Sequence, residues 1–314
     1  MMNRRTFLKD ISGGVVLTSM LPMLASAIKA PLRFGVITDI HYGEMEPRIN
    51  RYYQQSLQKV KDAVNLFNES DLDFVIELGD LKDTNGDVSD TLRFLDDIEG
   101  VLQTFNGPIY HALGNHDMDC LSKEEFLGHT TNAGKTKGRS YYSFVKKGVR
   151  FIVLDANFNE QREPYCRGNF SWKKAFVPQW ELDWLNEELR RDKKPVIVFN
   201  HQMIDHFSGV SKSLCVGNAA EVIDLLERSG RVMAVIQGHH HTGNYSQLHG
   251  IHYWTMKAVI ESDYPTHNSY AIVEIDRQGN ISIRGFKDCE SRELVRYRFV
   301  FGKYGYHHNK YEFG

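Results

Sequence analysis

The chain has 314 residues, 41% of them hydrophobic and 25% charged. That balance excludes a disordered, collagen-like or disulfide-scaffold protein, and the length allows a substantial core. Lysine and arginine total 38 against 40 aspartate and glutamate, a formal net charge of −2, so the overall charge does not favour nucleic acid as a main partner.

Residues 1–27 read as an address rather than as part of the fold. Asn3-Arg4-Arg5-Thr6-Phe7-Leu8-Lys9 sets paired arginines before an uncharged run from Ile11 to Ile28, and Ala25-Ser26-Ala27 supplies small residues suited to cleavage. The segment resembles a bacterial twin-arginine export signal, with an ordinary secretory signal or an uncleaved anchor as alternatives. Gly13, Gly14, Thr18, Ser19 and Pro22 make the run weakly apolar for a permanent span. The expectation is export to the periplasm, membrane contact only through an uncleaved signal, and a single domain over 28–314.

From there strand and helix patterns alternate. Arg33–Thr38 is a short apolar run that stops at Asp39, and Arg51–Asn68 reads as a helix with Tyr53, Leu57, Val60, Val64 and Phe67 on one face. Asp73–Leu78 is the next expected strand, Ser89–Phe105 a helix, and Pro108–Leu113 a strand. Arg139–Lys146 and Val149–Leu154 flank Lys147-Gly148 as a hairpin. Helices at Pro178–Arg190 and Ala219–Arg228 alternate with strands at Pro195–Phe199 and Arg231–Gln237. Strands follow at 251–259, 269–275 and 281–287, and the aromatic tail from Arg296 is expected to pack on the body. Cys120, Cys166, Cys215 and Cys289 are widely spaced without a CxxC and read as small buried hydrophobes; a disulfide is permitted after export but not indicated.

Five of the strands end in loops that carry His, Asp or Asn: Asp39-Ile40-His41, Gly79-Asp80, Gly114-Asn115-His116-Asp117, Asn200-His201 and Gly238-His239-His240-His241. Each alone is an ordinary turn; together they are hard to explain by turns, because ligands gather beyond the carboxyl ends of strands in such sheets. Asp39 and His41, like His239 and His241, are two apart and would share a side of an extended segment, leaving His240 turned away. Asp80 offers two oxygens that could bridge two cations, Asn115 a neutral oxygen, and His201 a further imidazole. A mixed N/O set without thiolate suits divalent manganese, iron or zinc. Two such ions about 3.5–4 Å apart clamp a phosphoryl group and generate hydroxide near neutral pH.

This ordered set resembles the calcineurin-like metallophosphoesterase superfamily, whose pattern of D-x-H, G-D, G-N-H-[DE], a later His and G-H-x-H is complete here. The resemblance implies an α/β four-layer sandwich, two mixed sheets flanked by helices. It implies two divalent metal ions, manganese or iron favoured and zinc admissible. The first would take Asp39, His41, Asp80 and His241, the second Asp80, Asn115, His201 and His239. His116 would be the general acid or transition-state stabiliser, with Asp117 orienting it. Purple acid phosphatases of this superfamily carry a tyrosine three residues after the bridging aspartate; Asp83 stands there instead, so a tyrosinate-bound ferric site is not implied, and Asp83 is expected to hydrogen-bond within its loop.

The stretches Phe34–Tyr42, Arg51–Leu57 and Asp73–Asp83 are similar to the manganese-dependent ADP-ribose/CDP-alcohol diphosphatases. The implied reaction is attack of a metal-bound hydroxide on a phosphodiester or pyrophosphate, with that of a nucleotide conjugate among the implied substrates. Arg51-Tyr52-Tyr53 lies outside the ligand set and reads either as helix packing, with Arg51 capping the first turn, or as substrate contact. The alternatives are an exported phosphomonoesterase on the same site, a nuclease, which the charge balance disfavours for duplex DNA, and a non-catalytic binding protein, which would ordinarily have lost a ligand. The partner expected is a small phosphoester or nucleotide-type molecule. His206 lies five residues after His201, in a loop that could reach the substrate, and Phe158 and Tyr264 are candidate base stackers; the remaining histidines read as surface or packed residues.

Overall fold

The computed structural model describes residues 28–134 and 139–294; the N-terminal segment expected to direct export and the aromatic tail expected to pack on the body lie outside the described residues. In chain order the elements are β1 (Leu32–Ile37), α1 (Ser56–Glu69), β2 (Phe74–Glu77), α2 (Val88–Leu102), β3 (Ile109–His111) and α3 (Lys123–His129). A hairpin of β4 (Tyr142–Lys146) and β5 (Val149–Val153) precedes α4 (Gln179–Arg190), β6 (Val196–Asn200), α5 (Ala219–Ser229) and β7 (Val232–Gln237). The chain continues through β8 (Asn244–Leu248), β9 (Ile251–Thr255), β10 (Ser269–Ile275), β11 (Ile281–Lys287) and β12 (Arg292–Leu294).

The strands form two six-stranded sheets, ordered β12-β11-β10-β1-β2-β3 and β4-β5-β6-β7-β9-β8. In the first, β1, β2 and β3 are parallel and β10 to β12 antiparallel. In the second, β5, β6, β7 and β9 are parallel and the outer strands antiparallel. Side-chain alternation makes the layers. Phe151, Phe199 and Ile197 face the first sheet, while Ile152, Val196 and Val198 face α4 and α5. Phe34 on β1 meets Phe151 and Phe199 with ring centroids 5.6 and 5.9 Å apart, and Phe74 on β2 meets Phe151 at 5.0 Å. Gly35, one residue along β1, faces α1 instead, with no room for a Cβ beside Phe67. The architecture is α/β, two mixed sheets face to face with helices outside, as the resemblance implied.

The helices follow local chemistry. The side chain of Asp87 caps α2 by accepting from the Asp90 N–H, and Ser122 with Glu125 makes a full capping box on α3. Pro178 stands just outside α4 as its N-cap residue. Among the described residues no helix is long and apolar enough to cross a membrane.

Several boundaries differ from the sequence reading. The first helix begins at Ser56 after a 3-10 turn over Tyr53–Gln55, not at Arg51. The backbone of Arg51 is already engaged: it pairs with Arg48 on one side and with Glu261 on the other. Arg51 therefore does not cap α1. The expected strand over 251–259 stops at Thr255, and β8, β12 and α3 were not foreseen. The burial of β8 is intermediate along its whole length, so it shows no apolar alternation to read.

Candidate metal centre

The loops after β1, β2, β3, β6 and β7, the five singled out from sequence, converge at one edge of the two sheets. Asp39, His41, Asp80 and His239 adopt left-handed backbone, with φ of 51, 46, 56 and 70°. The extended geometry expected for the Asp39/His41 and His239/His241 pairs is thus not what aligns them. Tight left-handed turns do so, a conformation disfavoured for any residue with a Cβ. Crossing loops hold the turns. A Cβ on Gly114 would collide with the backbone nitrogen and carboxylate of Asp80, and one on Gly238 would press on Thr38 and Asp39.

The side chains meet in two triplets, Asp39 with His41 and His241, and Asp80 with His201 and His239. Asp80 Oδ2 lies 3.4 Å from His41 Nε2 and 3.2 Å from His201 Nε2, between the halves. His241 Nε2 is 3.4 Å from Asp39 Oδ1 and 3.3 Å from His41 Nε2. The second nitrogen of three imidazoles is engaged behind the centre: Nδ1 of His41 by Asp83 at 3.2 Å, of His241 by Glu261 at 2.6 Å, and of His201 by the Leu78 carbonyl at 2.9 Å. Such bonds select the tautomer and turn Nε2 inward as a lone pair. Asp83 is thus a hydrogen-bonding residue, as expected: one oxygen takes the Thr84 N–H in its own loop at 2.8 Å, and the other engages a histidine of the cluster.

The cluster fits a pair of cations. Nε2 of His239 and both side-chain atoms of Asn115 are buried without hydrogen-bond partners, which is costly unless something else satisfies them. Burial opposes ionisation of Asp80, but His201 and His41 outweigh it and hold its carboxyl well below the usual range. A carboxylate held anionic between imidazoles, with an amide oxygen beside them, is the donor set of a divalent N/O site, the imidazoles giving up their protons where a cation binds.

His116 lines the cavity above this cluster, its ring centroid 4.9 Å from that of His41. Its Nδ1 donates to Asp119 at 3.1 Å, and Lys82 Nζ holds both Asp119 and the His116 carbonyl at 2.5 Å. Burial opposes its protonation, but the bond to Asp119 and the charges of Asp80 and Asp83 raise its pKa. Asp117 does not orient His116, contrary to the sequence expectation. It is wholly buried, and its carboxylate accepts from the backbone N–H groups of Asp80, Leu81 and Gly114. Asp117 clamps two loops together, and Asp119 does the orienting: in the 3-10 turn at His116–Met118 a residue three further on lies beside the ring.

Two supports lie deeper. His111 on β3 donates from Nδ1 to Glu77 at 3.1 Å, with Nε2 3.3 Å from Glu99. The other oxygen of Glu77 takes the Gly79 N–H at 2.6 Å, just before Asp80. Burial works against the His111 charge, yet Glu99 and Glu77 push its pKa up to about 10. Burial pushes Glu77 itself upward despite His111, while Glu99 is lowered, so the positive charge is balanced chiefly by Glu99. The second support is Lys59 on α1, whose Nζ donates to the carbonyls of Val259, Glu261 and Ser262 at 2.8, 2.9 and 2.7 Å. It fixes the loop that brings Glu261 to His241.

The seven expected ligands and His116 are thus brought together. Other candidates are not. His240 bonds Thr242, His206 is exposed beside Phe207, and Phe158 is buried against Trp180. Neither Phe158 nor Tyr264 lines the cavity of about 570 Å³ over the cluster; its aromatic wall is Trp172 and its cationic wall Arg48 and Arg51. Asp119, Glu261, His111 and Glu77 were missed. For the last two a signal existed: a Glu and a His inside the apolar strands that lead into the motifs.

The calcineurin-like phosphoesterase family model matches residues 32–243. The chain is 27% identical over 295 residues to a manganese-dependent ADP-ribose/CDP-alcohol diphosphatase of Arabidopsis thaliana, covering 80% of this chain and 94% of that protein. It is 24% identical to the diphosphatase of the same description from Danio rerio, covering 74% of this chain and 89% of that one. The fold is shared with the crystal structure of a dimetal phosphatase from Danio rerio, at a TM-score of 0.74 and 22% identity over 85% of this chain and 99% of that one. With the ligand cluster, the cavity and the fold in agreement, the chain belongs to the calcineurin-like phosphoesterase family and is a metal-dependent phosphohydrolase.

Proposed function

We propose that the protein hydrolyses the pyrophosphate bond of small nucleotide conjugates such as ADP-ribose or CDP-alcohols. The observation that carries the reading is Asp80, set between an imidazole of each triplet beneath a cavity wide enough for a nucleotide. The diphosphatases similar along most of their length support the choice of bond.

In this reading Asp39, His41, Asp80 and His241 hold one divalent cation, and Asp80, Asn115, His201 and His239 the other, manganese or iron by preference. When bound, such a pair polarises phosphoryl oxygens and lowers the pKa of a water to about 7. The chain's own contribution is positional and protonic. Asp83, Glu261 and the Leu78 carbonyl keep three imidazoles in the tautomer that faces inward. With Nδ1–H held by Asp119, His116 is free to donate from Nε2 to an oxygen of the reacting group as charge develops on it. Lys82 keeps Asp119 in place. Trp172, 43% exposed on the cavity wall, offers a face to a flat base.

The test is turnover after metal stripping and reconstitution with manganese. Substrates would be ADP-ribose, a CDP-alcohol, bis(4-nitrophenyl) phosphate and 4-nitrophenyl phosphate. AMP or CMP released from the diphosphates at the highest kcat/KM supports the reading; a preference for the monoester would replace it with a phosphomonoesterase. The paired arginines and small-residue site of the first 27 residues support export to the periplasm by the twin-arginine route, with 28–314 acting as one domain. N-terminal sequencing of protein from fractionated cells tests that: a start at Ile28 in the periplasmic fraction is expected, and an intact Met1 in the cytoplasm refutes it.

A further inference from the structure

The cationic wall of the cavity is built in an unusual way. The N–H of Arg48 donates to the Arg51 carbonyl at 3.1 Å and that of Arg51 to the Arg48 carbonyl at 3.0 Å. The two residues therefore face each other as a hydrogen-bonded pair across a two-residue turn, with side chains on the same face. Like charges so placed repel. The turn between them is disfavoured too: Ile49 is β-branched, has a φ of 58° and is 98% exposed, where glycine or asparagine is the ordinary choice.

Among the described residues no ion pair relieves the repulsion, and Glu261 attracts Arg51 only at longer range. Neither guanidinium lies within 4.0 Å of a carboxylate oxygen among the described residues. The nearest acid in the pairing, Glu261 opposite Arg51, spends one oxygen on His241 at 2.6 Å and the other on Asn50 at 3.0 Å. Arg51 is steadied by the hydroxyl of the buried Tyr53. Both arginines and Tyr53 line the same cavity as Asp80, Asn115 and His116. Two forks with free donors, held side by side at the mouth of a phosphoryl-transfer site, match the oxygens of one anionic group.

We propose that Arg48 and Arg51 form a clamp for the non-reacting phosphoryl group of the substrate, so that the site selects two linked phosphates over one. This rests on the reading of the cavity as the phosphoester site and names what recognises the second half of the diphosphate. The side chains of the metal cluster engage the reacting phosphoryl, and the like-charge pair gains an anion of its own when the second arrives.

Binding to the manganese-loaded protein tests it without turnover. Calorimetric titration with α,β-methylene-ADP, which cannot be cleaved at the anhydride, is compared with AMP. The wild type is expected to prefer the diphosphate by about tenfold or more, and Arg48→Ala and Arg51→Ala to bring that preference below about threefold. Arg48 is exposed, so its variant reports even if Arg51→Ala fails to fold. No preference in the wild type, an undiminished preference in Arg48→Ala, or an equal loss for both ligands would overturn the clamp. Failure to hydrolyse ADP-ribose despite an arginine-dependent preference would instead refute the proposed reaction and leave the clamp standing.

Discussion

Asp80 and Arg48 face the same cavity but are held by different means. Asp80 is buried in a left-handed turn, its N–H taken by Asp117 and its carboxylate set among two imidazoles and the His116 N–H. Arg48 is exposed, held by a two-residue turn, with a side chain that no carboxylate engages. The floor of the site is over-determined, the rim under-determined. A residue of the floor is positioned by several others and fails with them; a rim residue answers only to what binds.

The largest effect should come from the floor's shared atom. Asp80→Asn removes the charge between the triplets, so loss of at least one cation by elemental analysis and a fall in kcat/KM of about 10³-fold or more are expected. Full activity with both metals retained would contradict bridging. Next comes the proton donor: His116→Ala should lower kcat by about 10²–10⁴-fold with metal content near two. Asp119→Asn should lower kcat by about 10–100-fold, whereas Asp117→Asn, which loses backbone acceptors, should chiefly lower the unfolding midpoint. If Asp117→Asn instead changed kcat alone, the division of labour between the two carboxylates would be reversed.

A further substitution probes the support under the floor. Because the pKa of His111 is raised from 6.5 to about 10, its ion pair stabilises the fold in full below pH 6.5. That contribution fades as pH rises through about 10, since the folded state holds a proton the unfolded state gives up. His111→Gln should therefore destabilise by about 3–5 kcal/mol in urea unfolding at low pH. The gap from wild type should narrow as pH increases. A gap that widened would mean the buried histidine is neutral.

The same contrast explains what could be read from sequence. The seven proposed ligands announce themselves because each lies within a few residues of a strand end, and a strand end is a local pattern. Their supports come from afar: Asp83 reaches His41 from 42 positions away, and Glu77 meets His111 from 34. Glu261 belongs to a loop whose place depends on Lys59, 202 positions earlier. Asp117 and Asp119 could not be told apart, because which of them reaches His116 depends on the 3-10 turn that carries them. Helices showed in their apolar faces, yet the start of α1 was misread because Arg51 and Tyr52 spend their backbones on a distant loop, the Tyr52 N–H on the Ile260 carbonyl. Strand β8, half-exposed throughout, left no pattern to read.

The smallest effect belongs to the apolar part of the rim. Trp172 is 43% exposed on the cavity wall, with Lys173 Nζ 4.9 Å from its ring centroid. Removing a half-exposed side chain leaves no buried void, so Trp172→Ala should change stability by less than about 0.5 kcal/mol. If the indole stacks a base, its loss should raise KM for ADP-ribose by about tenfold, the weight of one aromatic–base contact, and leave kcat nearly unchanged. Bis(4-nitrophenyl) phosphate, which has rings but no base on a sugar–phosphate arm, should be affected less. A drop in kcat for both substrates would mean that Trp172 acts on His116 through Phe170, whose ring lies 5.2 Å from the imidazole. In that case the rim would be as tightly coupled to the chemistry as the floor.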